Sequence, residues 1–198
     1  MYIISLFITT VIFGHISGSH INPQLTMASL ILGKTEPLEV FFYLMGQFSG
    51  ATTGYVVLWT VLPDETYRNG LCLNTVNGNI TVCQGLIVEI ISTATLTLAC
   101  ASIWDAKNAR KIDSISLRLG LIIAVIAMVA GPFTGASMNS ARSFAPALIN
   151  NLWENHWVYW VGPTFGSIVA AVIYRFLFEH FDDMDREQTT ESVVEDRL

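Results

Sequence analysis

The sequence predicts an all-α membrane protein built as an inverted repeat: five full transmembrane helices, two re-entrant half-helices, and one helix missing from a six-helix plan. Three observations predict it. The 198 residues are 52% hydrophobic and 13% charged, where a soluble domain carries about 25% charged residues. Two loops repeat each other: Gly14, Gly18 and Asn22 return 117 positions later as Gly131, Gly135 and Asn139. Both loops interrupt apolar sequence, and irregular backbone at that depth is tolerated only where protein or a water-filled cavity surrounds it.

Each element follows from its residues. Segment 1–17 is apolar and has neither the positive start nor the small-residue cleavage site of a signal peptide, so it reads as a transmembrane helix. Segments 37–62, 84–104, 116–132 and 156–178 each have about the length a bilayer core requires. The apolar stretches 22–32 and 139–150 that follow the two Asn residues are shorter. At about 1.5 Å per residue they reach halfway across, as half-helices. Helix 84–104 precedes the second loop, and its counterpart would lie before residue 1. The repeat therefore predicts a unit of three helices and one half-helix used twice, with the first helix absent. An incomplete gene model, a splice form and a deletion all fit that expectation. An odd number of helices per unit inverts the second copy relative to the first.

Residues 1–180 form the channel-like domain and 181–198 an acidic, disordered tail. Residues 182–198 hold seven acids and two bases, which is −5 of the net −6. No basic patch for nucleic acid remains, and no metal, cofactor or enzyme motif is present. Basic residues mark the cytoplasmic side. With the C-terminus inside, Lys34, Lys107, Arg110, Lys111, Arg118, Arg175, Arg186 and Arg197 share that side, and Arg68 lies outside. The outer loop 63–82 also carries a glycosylation sequon at Asn79. Cys72 and Cys83 flank this loop and are candidates for pairing, which the odd cysteine count leaves open. Cys100 reads as a small core residue.

Asn at a helix start caps it through its side-chain oxygen, which leaves the amide nitrogen to donate outward. Half-helices entering from opposite faces bring Asn22 and Asn139 together near the midplane. Both positive helix ends then point at one place. Small polar molecules can accept from such a site, and cations are repelled.

Gly14-His15-Ile16-Ser17-Gly18-Ser19-His20-Ile21-Asn22-Pro23 and Gly135-Ala136-Ser137-Met138-Asn139-Ser140-Ala141-Arg142-Ser143-Phe144 resemble the two signature loops of the aquaporins, the major intrinsic protein family. The resemblance covers about 1–178. It implies a passive channel for water and small uncharged solutes, homotetramers with one pore per subunit, and residence in the plasma membrane. A shortened chain could join full-length partners in such a tetramer. The family's Asn-Pro-Ala boxes are altered in both copies, to Asn22-Pro23-Gln24 and Asn139-Ser140-Ala141. Pro presets the first helical turn and Ser140 gives that up, while Gln24 replaces a small residue. A looser junction is the expectation.

Arg142 lies one turn into the second half-helix, where a buried arginine marks function. By resemblance it belongs to an outer selectivity filter completed by Tyr2, Ala127 and Ala136. Water-selective members carry histidine where Ala127 stands, so alanine leaves this filter wider and apolar on one wall. An aromatic face opposite a guanidinium suits glycerol, with urea beside it. The glycerol-conducting branch has Asp after the filter arginine, and here Ser143 follows. The chain is thus most similar to the insect-type entomoglyceroporins. A one-residue slip in the count would put Ile126 or Met128 in place of Ala127.

Glu89 lies inside an apolar helix. By resemblance it accepts hydrogen bonds from the second Asn loop, and the equivalent acceptor for the first loop lies on the missing helix. His20 and the backbone around Asn22 are then expected to lack a partner. Gly46 and Gly50 recur as Gly162 and Gly166 at a shift of 116, and such small-residue pairs let helices pack closely. Trp153, His156, Trp157 and Trp160 form an interfacial aromatic belt. Inverted repeats also build secondary transporters, and the altered boxes admit a non-conducting membrane protein. These are the competing readings.

Overall fold

The computed structural model describes residues 2–63, 70–108 and 114–179. Among these, every regular element is helical. In chain order they are α1 Tyr2–Ser17, α2 Pro23–Ile31, α3 Pro37–Val61, α4 Val82–Trp104, α5 Ile115–Thr134, α6 Ser140–Asn150 and α7 Val158–Tyr174. A single 3-10 turn, Ala106–Asn108, follows α4. A π-helix, Arg175–Glu179, ends α7. The tail with Thr189, Thr190 and Ser192, together with Arg68, Arg110, Lys111, Arg186 and Arg197, falls outside the described residues.

Local chemistry sets the boundaries. Pro23 and Pro37 stand in the first turns of α2 and α3, where a missing N–H costs nothing. Thr81 and Gln84 cap α4 reciprocally: Thr81 Oγ1 accepts from Gln84 N at 3.2 Å, and Gln84 Oε1 accepts from Thr81 N at 2.7 Å. Gly135 ends α5 in the left-handed region, φ 77°, as is usual for a helix C-terminus.

Among the described residues, three helices are both long and apolar enough to cross a membrane, Val82–Trp104, Ile115–Thr134 and Val158–Phe178. α3 has the length, 25 residues, but Gln47, Ser49, Thr52, Thr53 and its glycines dilute its hydropathy. α1 runs for 16 residues, about 24 Å. Large apolar side chains such as Phe42, Leu121, Met128, Val129 and Phe176 lie exposed around the outside. An apolar surface of that extent suits lipid.

α4 packs most extensively on α7, and α2 packs between α3, α4 and α7. α6 lies on α3, and α1 on α5. The α4–α7 seam is close because of two glycines. A Cβ on Gly166 would stand 2.3 Å from the Ile90 carbonyl oxygen, and one on Gly162 would stand 2.9 Å from Glu89 Cβ. Gly46 and Gly50 behave otherwise: a Cβ at either meets nothing within 4 Å. The close packing expected there is made with no described residue.

Lys34, Asp105, Lys107 and Arg175 gather at one end of the bundle. Asp105 feels the charges of Lys107 and Lys34 and accepts from Tyr174 Oη at 2.8 Å. Arg175 donates to the Ile31 carbonyl at 2.6 Å, at the negative end of α2.

Candidate functional site

The two half-helices meet head to head. Asn22 caps α2, its Oδ1 accepting from Gln24 N at 2.9 Å. Asn139 caps α6 in the same extended conformation, its Oδ1 accepting from Arg142 N at 3.0 Å. Each amide nitrogen then reaches across the junction. Asn22 Nδ2 donates to the Met138 carbonyl at 2.8 Å, and Asn139 Nδ2 to the Ile21 carbonyl at 2.9 Å. The donation expected from the sequence thus goes in part to the opposite loop, each bond taking one of the two hydrogens that an amide nitrogen carries. Asn22 and Asn139 are 4% and 2% exposed, so the pairing is nearly dry.

The loops before the two Asn residues share an unusual backbone. Gly18 and Ser19 have φ 66° and 52°, and their repeat mates Gly135 and Ala136 have φ 77° and 47°. Ser19 and Ala136 hold a left-handed conformation that favours glycine, which marks a backbone constrained by its surroundings. In the second loop the constraint is Glu89, fully buried on α4. Its Oε1 accepts from Thr134 Oγ1 at 2.6 Å and Ser137 N at 2.9 Å, and its Oε2 accepts from Met138 N at 2.9 Å. The first loop has a different buttress. Gln47, on α3, donates through Nε2 to the His20 carbonyl and to Thr26 Oγ1. The expectation that this backbone lacks a partner is corrected to that extent. His20 Nδ1, by contrast, is buried with no partner among the described residues, and the ring lies between Tyr43 and Trp104 with centroids 5.2 Å from each.

A groove of about 910 Å³ opens against this junction, bordered by Asn139, Ala141 and Arg142. Its far wall is one face of α3, from Glu39 through Gly46, Gly50 and Gly54 to Leu58. From Glu39 to Leu58, 20 residues, the wall spans about 28 Å, close to the thickness of a bilayer core. A second space, about 20 Å³, lies against Asn22, Leu25, Leu96, Ile123 and Met138. It is about the room one water molecule requires. Ile21 borders both.

The loop before α4 closes over the first turn of α6. Arg142 Nη1 donates to the Cys72 carbonyl at 3.1 Å. Asn74 donates to the Thr134 carbonyl at 3.2 Å and accepts from Ser143 Oγ at 2.7 Å. Cys72 and Cys83 are both free and exposed, so the candidate disulfide is not formed. Asn79 is exposed in the turn before α4, and Thr81 of its sequon caps that helix.

The description of the major intrinsic protein family matches residues 1–174. The chain belongs to that family. It is 42% identical over 166 residues to aquaporin-4 of Homo sapiens, which covers 84% of this chain and 51% of the relative. It is 38% identical over 164 residues to the lens fiber major intrinsic protein of Bos taurus, covering 83% of this chain and 62% of the relative. The chain thus spans about half to three-fifths of the length of these curated relatives. The crystal structure of the aquaglyceroporin from Plasmodium falciparum superposes with a TM-score of 0.82 at 21% identity, over 92% of this chain and 82% of that one, which shows the aquaporin fold.

The two altered box residues bond to each other across the junction. Gln24 Nε2 donates to Ser140 Oγ at 2.9 Å and to Thr164 Oγ1 at 3.2 Å. Gln24 Oε1 accepts from Ser140 N at 3.0 Å. Pro23 and Ala141 are buried beside them. The filter set is placed in part. Arg142 borders the groove. Ala136 is buried and Ala127 half-buried, both packed with Ile123, Ile126 and Met138 rather than on the groove. The side chain of Tyr2 lies outside the described residues. Met128, one slip away from Ala127, is 70% exposed on the outer surface. Sequence reasoning missed Gln47, Asn74, Thr134 and Ser137. Only Gln47 carried a signal, a lone amide between two glycines in an apolar helix.

Proposed function

We propose that this chain is a passive transmembrane channel for water and small uncharged solutes such as glycerol and urea, selected by size and hydrogen bonding and driven by the gradient alone. The observation that carries the reading is the reciprocal Asn22–Asn139 junction with Arg142 beside it. Two helix N-termini and a guanidinium concentrate positive potential at one dry point, which repels cations and offers donors to a neutral solute. The resemblance to aquaporin filters, with alanine at 127 in place of histidine and Tyr2, Ala136 and Arg142 as the other members of the set, is the basis for admitting glycerol and urea. Glu89 accepts from three donors of the second Asn loop and the helix before it, which supports a structural acceptor over a carboxylate that couples transport to protons.

The same reading puts the chain in the plasma membrane with its C-terminus, Lys34 and Arg175 cytoplasmic and Asn79 outside. Homotetramers, or tetramers shared with full-length relatives, are the assembly it implies. A second reading, a chain that does not conduct alone, is favoured by one feature: the groove beside Asn139 and Arg142 is open along the glycine face of α3.

Stopped-flow swelling of vesicles holding the 198-residue chain, in glycerol and in an impermeant osmolyte, tests the proposal. Glycerol entry well above protein-free vesicles, suppressed by Ala127→His, supports a channel with Ala127 in its filter. Inserted protein without permeability favours the second reading.

A further inference from the structure

The two departures from the Asn-Pro-Ala boxes fall on one contact. The repeat relates Gln24 to Ala141 and Ser140 to Pro23, each by 117 positions. Head-to-head packing under that two-fold relation sets the third residue of one box against the second residue of the other. Gln24 therefore meets Ser140, altered against altered, and Pro23 is left with Ala141, both of the family type.

The chemistry of the altered pair is complementary. Proline has no N–H, so replacing it by Ser140 introduces a donor at the first turn of α6, where no helical carbonyl is available to it. Ser140 is 1% exposed, and a buried donor without an acceptor is destabilising. Gln24 Oε1 supplies that acceptor at 3.0 Å. The amide's other end, 3% exposed as a residue, would be equally costly alone, and Ser140 Oγ and Thr164 Oγ1 satisfy it. Ser167 Oγ holds the Gln24 carbonyl at 2.6 Å, which fixes the backbone from which the amide reaches. Each substitution thus removes the penalty created by the other.

We propose that Gln24 and Ser140 are a coupled pair of positioning residues, a polar lock that takes the place of one Pro–Ala contact and sets the separation of Asn22 and Asn139. Either residue alone is incompatible with the family's residue opposite. Gln24→Ala strands the Ser140 N–H. Ser140→Pro strands Gln24 Oε1 and puts a ring carbon where the hydrogen bond now lies. Ala and Pro together restore an apolar contact with nothing stranded.

The test uses the full chain in mild detergent and reads the thermal unfolding midpoint, a measurement independent of conduction. Gln24→Ala and Ser140→Pro are each expected to lower it by about 3–8 °C. The double variant is expected to return to within about 2 °C of the parent, a coupling that two separate structural roles would not produce. Ser140→Ala, which keeps the N–H and its bond to Gln24, is expected to lose less than Gln24→Ala. Losses that simply add in the double variant, or a Ser140→Ala loss as large as that of Gln24→Ala, overturn the proposal. Should both single variants fail to reach the membrane, recovery of the double variant there reads the same coupling, and its failure counts against the lock.

Discussion

The two copies of the repeat carry the same devices in different surroundings. In the second copy Gly162 and Gly166 let α7 lie against α4, and Glu89 on α4 holds three donors of the neighbouring loop. In the first copy Gly46 and Gly50 face open groove. The loop there is held by Gln47, which comes from the glycine-bearing helix itself. Small residues at a four-residue spacing permit close approach, but they do not create it. A partner must be present, and the same partner brings the charged acceptor that an irregular loop requires. The second loop is thus tied to a buried carboxylate of the neighbouring helix, and the first to neutral groups, Gln47 and Tyr43 of α3 and the Asn139 amide.

Substitutions on either side can break or sharpen that contrast. The largest effect is expected at Gly166→Leu. A Cβ there already meets the Ile90 carbonyl oxygen at 2.3 Å, so a larger group separates α4 from α7. Gel filtration in detergent should show aggregate in place of a monodisperse peak. A folded, monodisperse Gly166→Leu protein would mean that the seam is not the organising contact. Next come the two buttresses. Glu89→Gln loses the charge and keeps a single acceptor oxygen for three donors, at a cost of about 2–4 kcal/mol. Gln47→Ala loses bonds from a neutral amide, at about 1–2 kcal/mol. Thermal midpoints of the two variants should fall in that order, and the reverse order would make the first loop the more dependent one. The smallest effect is expected at Gly50→Ala. Its Cβ enters open space, and alanine favours helix by several tenths of a kcal/mol in water. The midpoint should stay within about 2 °C of the parent or rise slightly. A loss comparable to those of the buttress variants would reveal a neighbour on that face.

Much of the fold was legible in the residues. The half-helices expected over 22–32 and 139–150 are Pro23–Ile31 and Ser140–Asn150, because an Asn cap and a short apolar run are local signals. The long helices begin and end within about two residues of their expected bounds, apart from the π-helical extension beyond Tyr174. The site was less legible where it depends on partners far along the chain. Gln24 looked like a misfit until its partner 116 residues away was in place. Cys72 and Cys83 suggested a bridge by flanking one loop. The structure instead gives the Cys72 carbonyl to Arg142. Gly46 and Gly50 announced a packed face, and periodicity carries no information on whether anything packs there.

The crossed amide bonds at the junction have a consequence for synthesis. Asn22 leaves the ribosome 116 residues ahead of its acceptor on Met138. At ~5–20 residues per second that interval is about 6–23 s. During it the Asn22 amide and the Gln24 side chain lack Met138 and Ser140, which hold them in the finished protein. The first half-helix is thus made early and seated late.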